Sequence, residues 1–96
     1  MLSSKQRRYL KSLANTIDPI FQVGKNDITE NLIKQLNDAL EARELIKVKI
    51  LKNSILEKED AAEEISKLTN SEVVQILGSI ITLYRPSKKN KIELPK

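Results

Sequence analysis

The chain has 96 residues, a net charge of +4, no Cys and no His. That length suits one domain with a core of its own. The composition excludes disulfides, thiolate chemistry and any histidine acid, base or metal ligand.

The first residues, Met1-Leu2-Ser3-Ser4-Lys5, lead into no apolar signal segment, and no apolar run approaches the ~20 residues that span a bilayer. The expected place is the cytoplasm. Charge is polarised along the chain: residues 1–25 sum to +4, residues 26–70 to −3 and residues 71–96 to +3. If the two ends meet in space, the fold has a positive face suited to a polyanion such as nucleic acid. The aromatics are Tyr9, Phe21 and Tyr84 only. That argues against a row of stacked bases and for contact with backbone phosphates.

Ser3 or Ser4 can cap a first helix that runs to about Asn15 or Thr16. Leu10, Leu13, Ala14 and Ile17 form its apolar stripe. Lys5, Arg8, Lys11, Ser12 and Asn15 lie opposite, with Arg7 at the edge, and no acid is among them. Asp18-Pro19 ends this helix, because the residue before Pro is pushed out of the α region. Asp18 to Val23 then reads as a short apolar strand, followed by a polar turn from Gly24 to Glu30. A strand, a turn with Gly and Lys, and a helix N-terminus together point backbone N–H groups and a positive charge at one spot. A phosphate would fit there, although strand-to-helix loops of this kind are common.

The second helix has two possible caps: Thr29, with Ile28 and Ile33 as a hydrophobic staple, or Asp27, with Glu30 completing a capping box. Its apolar face is Leu32, Ile33, Leu36, Ala39 and Leu40, and its end falls near Ala42 or Arg43. Glu44 to Leu51 is the clearest strand, with Ile46, Val48 and Ile50 on one face and Leu45, Lys47, Lys49 and Leu51 on the other. Ser54 to Glu57 matches a capping box for a third helix reaching Thr69. Ala61, Ala62, Ile65 and Leu68 are its expected buried face. Glu57, Glu59, Asp60, Glu63 and Glu64 form an acidic exposed face, with Glu63 and Lys67 as an i, i+4 pair. Carboxylates on one helix do not converge as a hard-cation site requires, so no metal or other cofactor is expected. Glu72 to Leu77 and Ile80 to Arg85 are strands joined at Gly78-Ser79, where Gly at the first central position suits a type II′ turn. Residues 87–96 form a basic, irregular tail, in which Ile92 and Leu94 alternate as if laid along the domain.

The expected fold is α/β: a single domain over 1–96, order α-β-α-β-α-β-β, with a mixed four-stranded sheet packed against helices. The motifs in this order resemble a known family. They are Leu2-Ser3-Ser4-Lys5-Gln6-Arg7-Arg8-Tyr9-Leu10, Pro19-Ile20-Phe21-Gln22-Val23-Gly24-Lys25, and the run from Ala39 to Val48. Val74-Gln75-Ile76-Leu77-Gly78, Leu83-Tyr84-Arg85-Pro86 and Ile92-Glu93-Leu94-Pro95 complete the set. The chain resembles the CRM domain (chloroplast RNA splicing and ribosome maturation) in its free-standing bacterial, YhbY-type form. The resemblance implies a fold similar to the C-terminal domain of bacterial translation initiation factor three. It also implies binding of structured RNA without catalysis, with precursor RNA of the large ribosomal subunit as the ligand.

The family's GxxG turn clamps the RNA backbone. Gly24, Lys25 and Asn26 match its first three positions. Asp27 stands where the second Gly is expected: turned inward to cap the second helix, its carboxylate would compete with phosphate for the same N–H groups, and turned outward it would repel less. The expected RNA surface joins this turn to Lys5, Arg7, Arg8 and Lys11 of the first helix, and to Arg85, Lys88, Lys89 and Lys91 near the end. Lys47 and Lys49 join it if their sheet face is open. A monomer with no membrane or small-molecule partner is expected. The reading from another class is a protein–protein adaptor that uses the acidic third helix.

Overall fold

The computed structural model describes residues 2–25 and 28–96. Its elements are α1 (Ser4–Ala14), β1 (Phe21–Val23), α2 (Glu30–Arg43), β2 (Leu45–Ile50), α3 (Lys58–Thr69), β3 (Glu72–Leu77) and β4 (Ile80–Tyr84). The four strands form one sheet in the order β1-β2-β4-β3. β1 runs parallel to β2, as the intervening helix allows, and the other two pairings are antiparallel.

The alternation along β2 assigns the two faces of the sheet. Ile46, Val48 and Ile50 join Val23, Ile81 and Leu83 in the larger core, closed by Leu36 and Leu40 of α2 and by Ala61, Ala62 and Ile65 of α3. Leu45 points the other way and joins Val74 and Tyr84 under Leu10 and Ala14 of α1. The domain therefore has three layers: α2 with α3, the sheet, and α1. An isolated helix of 11 residues is marginal in water. α1 therefore owes its place to Leu10 and Ala14, with each large apolar side chain worth about 1.5–3 kcal/mol when fully buried.

Local signals behave unevenly. Ser3 forms the capping box of α1: its Oγ accepts from the Gln6 N–H and Gln6 Oε1 accepts from the Ser3 N–H, both at 3.1 Å. Of the two possible caps of α2, Thr29 is the one used, its Oγ1 accepting from the Leu32 N–H at 3.1 Å. Gly78 has φ +59 and Ser79 lies outside the left-handed region, as a type II′ turn requires.

Ser54 caps nothing. Its Oγ donates to the Leu56 carbonyl, and α3 starts only at Lys58, after a Glu57 whose side chain makes no cap bond. Leu56 packs against the larger core, and the chain bends at Ile55 and Leu56 to seat that side chain before the helix begins. Leu68 is 53% exposed instead of buried, because the stripe that faces the sheet is Ala61, Ala62, Ile65 and Thr69. Glu44 is not the first strand residue. It ends α2 with φ 67, a backbone region that favours Gly. β3 carries an irregularity between Val73 and Gln75, which places Val74 under α1.

Candidate nucleic-acid interface

β1 and β2 stop together. The Leu51 N–H donates to the Val23 carbonyl at 2.8 Å, and the turn begins at the next residue. Gly24 has an ordinary φ, and a β-carbon there would touch Leu51 and Asn53 at 3.4 Å. What glycine supplies here is a bare backbone beside the turn that follows β2. Lys25 is exposed. The chain then runs into the N-terminus of α2, where unpaired N–H groups and the helix dipole favour an anion. Glu30 in the first turn works against that preference. Asn26 and Asp27, the third and fourth turn positions, lie outside the described residues.

Lys49 is exposed and Lys47 half-buried on the α1 face of the sheet. Their register partners are Gln22 and Ile80 for Lys49, and Thr82 for Lys47. α1 covers only the other half of this face, over Leu45, Tyr84 and Val74. So the condition for Lys49 is met, and that for Lys47 in part. Lys52 was not expected at the site. It is exposed in the turn after β2, between Leu51 and Asn53, the two residues that a side chain at position 24 would meet. Its only signal in the sequence was a Lys-Asn pair after the strand, which gains meaning once β1 and β2 are known to be parallel.

On α1, Lys5, Arg8 and Lys11 are exposed, on the side opposite Leu10 and Ala14. Arg7 turns inward: its guanidinium donates to the Val73 carbonyl and to the Val74 carbonyl at 2.9 Å.

The remaining candidates lie at the far end of the sheet. Five residue steps along β2 separate Leu45, the partner of Tyr84, from Ile50, the partner of Val23. At about 3.3 Å per residue, Arg85 and the tail are on the order of 17 Å from the Gly24 turn. Arg85 is also engaged inside the protein. Nη1 donates to Asn37 Oδ1 and to the Thr69 carbonyl, both at 2.8 Å, and Nη2 donates to the Asn37 carbonyl at 3.1 Å. Glu41 lies 3.7 Å away. The arginine thus fastens the middle of α2 and the last residue of α3 to the end of β4. Lys91 Nζ donates to the Ala42 carbonyl at the C-terminus of α2. Lys88 and Lys89 are exposed beside Glu41.

The tail itself is held by a buried carboxylate. Glu44 Oε2 accepts from the Ser87 N–H at 2.6 Å and from Ser87 Oγ at 2.7 Å, and Oε1 accepts from the Ile92 N–H at 2.6 Å. Burial alone would push this carboxyl's pKa up. The hydrogen bonds from Ser87, Ile92 and Lys91 outweigh burial and hold it below the usual value. Tyr84 is pushed up, first by burial and then by the Glu44 charge. Ile92 and Leu94 pack on the α1 cluster, Gln6 Nε2 donates to the Pro95 carbonyl at 3.1 Å, and Lys5 Nζ donates to the Lys96 carbonyl at 3.4 Å. The tail is a strap.

The structure thus sorts the expected surface into two groups. Gly24, Lys25 and Lys49 gather at the turn end of the sheet, with Lys52 added and Lys47 farther back in the middle of β2. Arg85, Lys88, Lys89 and Lys91 sit at the strap end. α1 links them, since Lys5 touches the strap and the chain beyond Ala14 leads to Ile20, whose N–H donates to the Lys47 carbonyl at 3.1 Å.

Fold and site define a small three-layer α/β domain whose cations are displayed on its surface. Residues 2–85 match the CRS1 / YhbY (CRM) domain model, and the chain belongs to that family. It is 53% identical over 96 residues to the Bacillus subtilis "Probable RNA-binding protein YqeI", covering 99% of this chain and 100% of that one. It is 39% identical over 95 residues to a Haemophilus influenzae protein named "RNA-binding protein", covering 99% and 96%. The solution structure of a hypothetical protein from Staphylococcus aureus superposes with a TM-score of 0.83 at 59% identity, covering 99% of this chain and 100% of that one.

Proposed function

We propose that the protein is a monomer that binds structured RNA in the cytoplasm, without catalysis of its own. Its ligand is precursor RNA of the large ribosomal subunit during ribosome assembly. The observation that carries the reading is the turn end of the sheet. There Lys25, Lys49 and Lys52 surround the bare backbone of Gly24 next to the start of α2. Phosphates neutralised there release counterions, and free backbone N–H groups donate to phosphate oxygens. Contacts of this type recognise the course of the backbone more than its sequence. α1 extends the surface through Lys11, Arg8 and Lys5. Family membership and the names of the relatives support RNA as the polyanion.

The test is the salt dependence of binding to a ribosomal RNA fragment. Affinity falls steeply with salt in the wild type. Lys25→Ala weakens binding and flattens the log–log slope by about one unit. If that variant keeps both affinity and slope, the turn is not a phosphate clamp.

One observation favours an additional protein contact. The outer face of α3 exposes Glu59, Asp60, Glu63 and Glu64, with the exposed Leu68 at its edge, and Glu63 pairs with Lys67 at 3.1 Å. Such a surface fits a basic protein. Association with ribosomal particles that survives nuclease treatment would favour it.

A further inference from the structure

The half of the sheet that α1 leaves uncovered has a composition that phosphate binding does not use. Its register gives two cross-strand rows on that face. The row nearer the turn is Gln22, Lys49, Ile80 and Leu77, and the next is Ile20, Lys47, Thr82 and Gln75. Leu77 is 69% exposed and Ile20 37% exposed, while Ile80 is half-buried. Thr82 is buried and Lys47 and Gln75 are half-buried, so the open shelf is the first row, on the order of 14 Å across four strands, with the second row as its partly covered rim. Neither row contains a carboxylate, and the shelf is continuous with Lys25 and Lys52 at its edge.

We propose that this shelf is a platform for unpaired nucleobases, with Leu77 and Ile80 beneath the bases and Lys47 and Lys49 reaching their phosphates. The proposal rests on the RNA-binding reading and narrows it to RNA with an open loop or a strand break beside the clamped backbone. Charge selects this occupant. Protein–protein interface cores are depleted in lysine, whereas here lysines alternate with aliphatic side chains and no acid balances them. The aliphatic side chains exclude a purely paired ligand. A duplex turns sugars and phosphates outward, and Leu77 gains nothing against them. An unpaired base offers a flat, weakly polar face that an aliphatic shelf can cover. Aromatic rings are the usual platforms, so a modest energy per base is expected.

The experiment compares an RNA hairpin that has an open loop with a blunt duplex of the same stem, in wild type and Leu77→Ser. The wild type should bind the hairpin more tightly than the duplex. Leu77→Ser should lower hairpin affinity about fivefold and leave duplex affinity unchanged. The unchanged duplex affinity also shows that the variant is folded. Lys49→Ala, which removes a charge, should weaken both ligands and flatten both salt slopes. If the wild type binds both RNAs equally and Leu77→Ser matches it, the shelf is not a base platform, while the RNA reading stands. Loss of both RNAs to the same degree in Leu77→Ser also overturns the platform. If neither RNA is bound by the wild type, the RNA reading itself fails. A photoreactive side chain at position 77 should crosslink to the loop nucleotides of the hairpin, and crosslinks to protein alone in ribosome-containing extract would overturn the proposal.

Discussion

Glu44 offers the most direct test of how the strap is held. Its carboxylate is fully buried, it accepts three short hydrogen bonds from Ser87 and Ile92, and it sits at φ 67. A non-glycine residue in that region costs on the order of 1 kcal/mol, which the bonds offset. In Glu44→Gln one carboxylate oxygen becomes an NH2 group. If the amide oxygen stays with Ser87, the NH2 meets the Ile92 N–H, donor against donor. With charged acceptor bonds worth about 1.5–3 kcal/mol, the expected loss is about 2–3 kcal/mol. At a urea m-value near 1.3 kcal/mol/M, the midpoint falls by roughly 2 M.

The pH dependence has a definite sign. The folded pKa of Glu44 lies below its ordinary 4.5, so its stabilisation is complete above that value. It declines as the pH falls and is lost as the pH passes through the folded pKa. Glu44→Gln should therefore narrow the stability difference between neutral and acid solution. Urea unfolding followed by circular dichroism, with hydrogen exchange of the Ile92 amide, reads both effects. A variant within about 0.5 kcal/mol of wild type, with the Ile92 amide still protected, would falsify this account of the strap.

Arg85→Ala releases Asn37 of α2 and the Thr69 carbonyl of α3, and should cost about 2–3 kcal/mol of stability while the folded fraction keeps its RNA affinity. Weaker binding by fully folded protein would return Arg85 to the ligand surface. Thr82 is buried, and its Oγ1 has no hydrogen-bond partner among the described residues. Thr82→Val should raise stability by about 1 kcal/mol and the melting temperature by roughly 4–8 °C, and an unchanged melting curve would mean that the hydroxyl is satisfied in solution. Lys52→Ala should flatten the RNA salt slope by about one unit, as Lys25→Ala does. Asp27→Gly should tighten binding, and no change would leave the missing second glycine without consequence.

Much of the fold was legible because hydrophobic period and chain punctuation agree in this sequence. The alternation through Ile46, Val48 and Ile50 identified the core face of β2, and Leu10 with Ala14 identified the inner face of α1. The misread positions are those where a tertiary contact overrules a local signal. Ser54 and Glu57 have capping-box spacing, yet seating Leu56 in the core delays α3. Glu44 continues a β-like run, yet its carboxylate is needed by Ser87 and Ile92, far along the chain. Of the candidate surface, the placement of Gly24 and Lys25 after a strand was legible, but not that of Lys52, whose neighbourhood depends on β1 and β2 ending side by side. Arg7 and Arg85 show a general limit. A basic residue in a basic stretch does not reveal whether its donors serve a ligand or the protein's own carbonyls.

The strap also bears on the order in which the domain can form. The larger core draws only on residues between Val23 and Leu83, so its pairings can be made while the last segment is still being synthesised. The smaller cluster joins Leu10 and Ala14, near the start of the sequence, to Ile92 and Leu94 of the strap. It cannot close until Ile92 and Leu94 have left the ribosome. Until then α1, with Lys5, Arg8 and Lys11, lacks part of the packing that fixes its direction. A nascent chain would thus hold a formed sheet beside a loosely placed basic helix, and full assembly of the cationic surface would wait for the strap residues to emerge.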